Sequence, residues 1–169
     1  MPETIKYVLY DTAEFGASAG VDHELFQVAE GADSTHVEHF TNSRGAGALP
    51  PEESFLVEEI QVFPDPDLSQ ADAQLVWKDS FLEVKVGDRT YLKAPLQLFA
   101  ASQGFQGHYT QGTAADANMT SMKGEGFKLD PAIEIPGGTK FRVRVYQGTA
   151  LSGANKSVKV CLIGKLTRP

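Results

Sequence analysis

The residues best suited to chemistry in this chain begin with His36-Val37-Glu38-His39. On a helix the two histidines would share a face, but on a strand a spacing of three sends them to opposite sides. His36 and Glu38 would then share a strand face and begin a metal site. Catalytic zinc takes three protein ligands and an open position, and a third ligand is not in view, so a solvated polar strand accounts better for the segment. Glu52-Glu53 and Glu58-Glu59 are adjacent carboxylates; neighbours on a strand point to opposite faces, which keeps either pair from acting as an acid/base couple on one substrate. Asp65-Pro66-Asp67 offers two oxygens for calcium, yet its composition is that of a turn. Cys161, the single cysteine, can form no disulfide within the chain and reads as a buried, inert thiol.

Two further segments carry side chains that bind rather than react. Gly104-Phe-Gln-Gly-His-Tyr-Thr-Gln-Gly112 mixes aromatic and amide groups in a loop, as sugar- and protein-binding surfaces do, although an ordinary ordered loop has the same composition. Ile135-Pro-Gly-Gly-Thr-Lys-Phe141 resembles the second motif of the cupin enzymes, in which a Pro-Gly turn leads to a metal-binding histidine. Phe141 stands about where that histidine would be. The first cupin motif is absent too, because His36 and His39 have the wrong spacing. The resemblance therefore implies shared barrel geometry and no metal chemistry. No GxSxG, Walker or Rossmann pattern occurs, and neither a catalytic residue, a metal nor a cofactor is assigned.

The elements that must position these groups are strands. Phe141, Val143 and Val145 alternate with Lys140, Arg142 and Arg144, and Val158, Val160 and Leu162 alternate with Ser157 and Lys159. A period of two means one dry and one wetted face. Pro136-Gly137-Gly138 is a turn between two strands, and Gly87-Asp88 closes a hairpin of 81–86 with 90–93. Further strands are expected at 5–10, 24–30, 37–41 and 55–63. Pro64 ends the last of these, and Asp67 or Ser69 then caps a short helix through Gln74. Pro95 places 96–99 at an edge or in a new element. Residues 42–51 are loop, and 100–126 form a long Gly-, Ala- and Thr-rich connection. Seven to nine strands without a βαβ rhythm predict a single all-β domain over 1–169, a sandwich or closed barrel.

Composition bounds the function. The chain has 169 residues with 41% hydrophobic and 22% charged, an ordinary globular balance. A net charge of −7 lacks the basic stripe that nucleic-acid binding requires. Neither a secretory signal nor an apolar run of the ~18 residues needed to cross a bilayer is visible.

The succession of 55–63, the short helix, the hairpin 82–91 and the strands within 133–146 resembles viral jelly rolls. More narrowly, it is similar to the small major capsid proteins of tailless icosahedral phages with an internal membrane, known from phages of thermophilic bacteria and related haloarchaeal viruses. That resemblance implies a single upright jelly roll of about eight strands. It also implies self-assembly, with itself and with a second, larger capsid protein, around a membrane vesicle in the host cytoplasm, the finished location being the virion. It carries no catalytic residue. Phe105, His108 and Tyr109 in the long loop, with Arg142 and Arg144, are the candidate subunit contacts, and 1–20 and 100–126 are candidate exchange arms. The alternative is a carbohydrate- or receptor-binding sandwich of a phage appendage using the 104–112 loop. An enzyme would need a site built across subunits from His36, Glu38 and His108.

Overall fold

The alternation read from the sequence is the actual division between core and solvent. Phe141, Val143 and Val145 are buried, while Arg142 and Arg144 between them are partly exposed. The computed structural model describes residues 1–100, 126–152 and 155–169. Its strands are β1 (Glu3–Phe15), β2 (Val21–Leu25), β3 (Ser54–Pro64), β4 (Ser80–Val86), β5 (Arg89–Pro95), β6 (Phe127–Ile135), β7 (Phe141–Gln147) and β8 (Lys156–Arg168). They form two antiparallel four-stranded sheets, ordered β1-β8-β3-β6 and β2-β7-β4-β5. Strands from opposite ends of the chain lie side by side, and β1 and β8 stay in register from Glu3↔Arg168 to Phe15↔Lys156. This interleaving is jelly-roll wiring.

The core fills the space between the sheets with Phe15, Phe55, Ile60, Leu82, Val143 and Leu162, none more than 1% exposed. Gly164 sets how closely the central strands approach. A Cβ there would lie 1.8 Å from the Leu56 carbonyl oxygen, at the point where β3 slips register between Val57 and Glu59. Only a residue without a side chain lets this bulge sit against β8.

The single α-helix among the described residues, α1 (Gln70–Asp79), is capped by the Ser69 hydroxyl, which accepts from the Asp72 amide at 3.1 Å. It runs past Gln74, the expected end, because Val76 and Trp77 bury completely. The Asp72 carboxylate then takes the Ser152 amide (2.9 Å) and hydroxyl (2.7 Å), tying the helix to the β7–β8 connection. Leu96–Phe99, expected at an edge or in a new element, is a new element, one 3-10 turn that buries Leu96 and Phe99.

Three sequence expectations are corrected. β2 occupies Val21–Leu25 rather than 24–30, because Phe26 adopts φ 63 and turns the chain; its amide is held by the buried Asp11 carboxylate. Residues 37–41 form no strand. They turn, and the following Asn42 clasps the free edge of β1: the Tyr10 amide donates to its side-chain oxygen (2.7 Å), its own amide donates to the Tyr10 carbonyl (3.1 Å), and its side-chain nitrogen donates to the Val8 carbonyl (2.8 Å). An exposed edge is thereby covered by loop. Finally, 1–20 is not a free arm, since β1 is zipped to β8 from residue 3 onward.

Candidate functional site

Phe105, His108 and Tyr109 lie outside the described residues. Arg142 and Arg144 are described, on the outer face of the β2-β7-β4-β5 sheet. Register brings Glu24, Arg144, Glu83 and Lys93 into one row across all four strands, with Arg142 and Lys85 in the next. Arg142 pairs with Glu24 at 2.6 Å, and Arg144 reaches Asp22 at 3.4 Å and Glu83 at 3.2 Å. Both arginines are thus tied to neighbouring strands of their own sheet.

Glu83 is the unusual member, a carboxylate on a sheet's outer face that is only 5% exposed. Lys85 approaches it at 3.2 Å and Lys93 at 4.0 Å, so long cationic side chains roof it. Burial alone would lift its carboxyl; the Lys85 hydrogen bond and the charges of Arg144, Lys85 and Lys93 hold it below the usual carboxylate range. Beside it Phe81 stacks on Tyr146 with centroids 4.9 Å apart, and Lys93 and Arg144 lie 4.7 and 5.2 Å from the Phe81 centroid. The Phe81 ring is therefore already occupied and is not an open stacking platform.

The sequence's metal candidates separate. His36 Nδ1 lies 2.8 Å from Asp33 within a turn, whereas Glu38 is exposed and its carbonyl accepts from the Tyr10 hydroxyl. Asp33 stays well below the usual carboxylate range because Thr35 and His36 donate to it. Among the described residues no group of three or more His, Cys, Asp or Glu could hold a metal ion. Asp65 accepts from the Ser157 amide at 3.0 Å and the Asp67 amide at 2.9 Å, as a turn carboxylate does. Glu53 pairs with Arg44 at 2.5 Å, Glu58 pairs with Lys165 at 2.7 Å, and Glu59 accepts the Gly126 amide at 2.8 Å. Cys161 is buried, and burial pushes its thiol up to about 11. Phe141, at the place of a cupin histidine, is 3% exposed, with its ring 5.7 Å from that of Phe26.

Sequence reasoning missed one signal that was available. Residues 7–43 contain Asp11, Glu14, Asp22, Glu24, Glu30, Asp33 and Glu38 but no lysine or arginine. Residues 135–169 contain Lys140, Arg142, Arg144, Lys156, Lys159, Lys165 and Arg168 but no acid. The fold lays these two segments together, β1 on β8 and β2 on β7. The compensation is incomplete. Glu14, Glu30 and Glu38 are exposed and form no ion pair with a described residue, and the same holds for Lys140. A cleft of about 340 Å³ opens beside Lys85, Lys140 and Arg142, and one of about 390 Å³ beside Glu14, His23 and His36. No protein-family model, curated protein or solved structure matches this chain.

Proposed function

We propose that this chain is a viral coat subunit. In this reading it self-assembles, together with a second, larger coat protein, into an icosahedral shell around an internal membrane. The observation that supports it is the strand order β1-β8-β3-β6 over β2-β7-β4-β5, the wiring used by capsid domains and also by lectins and cupins. Fold alone does not choose among these. What disfavours the cupin enzyme is residue type: Phe141, at the place of the cupin histidine, is buried in the apolar core with Phe26, Phe55 and Leu82. A wall needs a rigid interior and paired outer faces, and the ion-paired rows across β2, β7, β4 and β5 supply the second. The test is direct. Purified virus particles that encode this chain are resolved by gel and mass spectrometry. The reading expects it among the most abundant proteins and protected from protease in intact shells. Its absence from particles, or a few copies confined to an appendage, overturns it.

A further inference from the structure

The two outer faces of the sandwich differ. On the β2-β7-β4-β5 sheet the outward charges pair with one another, Arg142 with Glu24 and Arg144 with Asp22 and Glu83. On the β1-β8-β3-β6 sheet the outward positions include Val8, Ile163 and Leu56. None of the three belongs to the core or packs against it, and Val8 is 38% exposed. Val8 and Ile163 are direct cross-strand neighbours and Leu56 stands one row away, so they form one patch. A sheet face that meets only water carries polar residues at such positions, and an apolar patch with a polar rim marks a contact.

The row beside this patch crosses all four strands as Lys6, Lys165, Leu56 and Glu134. Lys6 at one end and Glu134 at the other are exposed, and neither has an ion-pair partner among the described residues. The charges between them are engaged: Lys165 pairs with Glu58 at 2.7 Å, and Glu59 accepts from the Gly126 amide and the Gln61 side chain. A hollow of about 350 Å³ opens in this row, lined by Leu56, Glu134 and Lys165 with the hydroxyls of Thr4, Ser54 and Thr167.

We propose that the outer face of the β1-β8-β3-β6 sheet packs against the same face of a second copy, about a two-fold axis running along the strands between β8 and β3. The occupant follows from self-complementarity. That axis lays β1 on β6 of the second copy and β8 on its β3, so Lys6 of each copy meets Glu134 of the other. Each row end thus finds the opposite charge, as an isologous contact requires. Sheets stack in this way with their strands within about 30° of each other. The area is sufficient too. Thirteen residues of β8 and four strand spacings give a face of roughly 40 by 19 Å, about 800 Å², the share each partner brings to a standard interface. The loop that clasps β1 takes one corner of it, where Lys159 donates to the His39 carbonyl. The proposal rests on the coat-subunit reading only for its biological setting.

The experiment is charge reversal in the full chain, with self-association followed by sedimentation velocity. The variants are Lys6→Glu, Glu134→Lys and the two together; none removes an ion pair between described residues. Wild type is expected to form a dimer at micromolar concentration. Each single reversal sets like charges together twice per dimer and should weaken association about tenfold or more. The double variant should return to within about threefold of wild type. Rescue inside one copy cannot imitate this, because Lys6 and Glu134 stand three strand spacings, about 14 Å, apart, beyond the Debye length of about 10 Å at 0.1 M salt. A further variant, Val8→Thr with Ile163→Thr, keeps β-branched residues, removes the apolar patch and should also weaken the dimer about tenfold or more. Circular dichroism melting checks that each variant is folded. Monomeric wild type, a folded single reversal that associates like wild type, or a folded double variant without recovery overturns the contact. A threonine pair that leaves association unchanged overturns it as well. The coat reading fails separately, when the dimer behaves as expected but the chain is missing from virus particles. Conversely, a monomer abundant in particles sinks only this contact.

Discussion

Gly164→Ala separates intrinsic preference from tertiary constraint with a single methyl group. In an isolated strand, replacing glycine by alanine stabilises by about 0.5–1 kcal/mol, because the unfolded chain loses freedom. Here the new Cβ would meet the Leu56 carbonyl oxygen at 1.8 Å, the Leu56 carbonyl carbon at 2.8 Å and the Glu58 amide nitrogen at 3.1 Å. All three are backbone atoms of β3, which pairs β8 on one side and β6 on the other. No rotamer can relieve the contact, so the sheet must part by more than an ångström where β3 already slips register. Overpacking of this kind costs about 1–3 kcal/mol, and the rigid backbone partner puts Gly164→Ala at the upper end, about 3 kcal/mol. For a chain of this size that lowers the melting temperature by about 6–12 °C. The assay is urea unfolding and thermal melting by circular dichroism. Gly31→Ala is the control, since that glycine has φ +76 and nothing within 4 Å, so only about 1–2 kcal/mol of backbone strain is expected. A Gly164→Ala protein as stable as wild type, or more so, would refute the account of how β3 approaches β8.

Asp11 and His23 predict opposing pH dependence. Burial raises the Asp11 carboxyl against the amides of Phe26 and Thr12, the Thr41 hydroxyl and the charge of His36. The folded state therefore holds that proton more tightly, and this contribution to stability falls as pH rises from the ordinary carboxylate range through the raised value. Asp11→Asn should remove that slope from urea titrations across pH 4–7, and an unchanged slope contradicts the assignment. Burial lowers the His23 imidazole against Gln147 and Asp22, so its contribution is lost as pH falls below about 6.5. His23→Gln should flatten that acid-side loss; if the loss persists undiminished, another group carries it. Native Cys161, with its thiol near 11, should react with a disulfide reagent at pH 8 only as fast as the protein unfolds, and rapid native labelling contradicts its burial. Asn42→Ala removes two hydrogen bonds to the β1 edge, at about 1–3 kcal/mol. Hydrogen exchange should then quicken first at the Tyr10 amide, and exchange there at the wild-type rate would show that the clasp does not protect the edge.

The readable parts of the fold were those whose signal is local. Pro136-Gly137-Gly138 turns as expected, Gly87 and Asp88 close the β4–β5 hairpin, and Ser69 caps α1. The misread parts depended on partners far away in sequence. Phe26 breaks β2 because a carboxylate from β1 captures its amide, fifteen positions distant. Residues 37–41 have strand-like side chains, yet the loop they belong to is recruited to cover the β1 edge. α1 continues past Leu75 through the strand formers Val76 and Trp77, because the sandwich supplies an apolar surface for both. Of the contact residues, the sequence placed Arg142 and Arg144 on the wetted face; pairing decided that Glu24, Asp22 and Glu83 would meet them.

By itself, then, the sequence determined which residues alternate, where the chain must turn and that the product is all-β. These follow from side-chain period and backbone freedom, which act over a few residues. It also carried, unread, the segregation of acids into 7–43 and bases into 135–169. Only the tertiary structure decided what that segregation does. Register laid β1 on β8 and β2 on β7, brought Arg142 to Glu24 and Arg144 to Asp22, and left Lys140, Glu30 and Glu38 exposed without an ion-pair partner among the described residues. Coulomb energy depends on distance in space, and distance in space is set by strand pairing that no local rule along the chain contains.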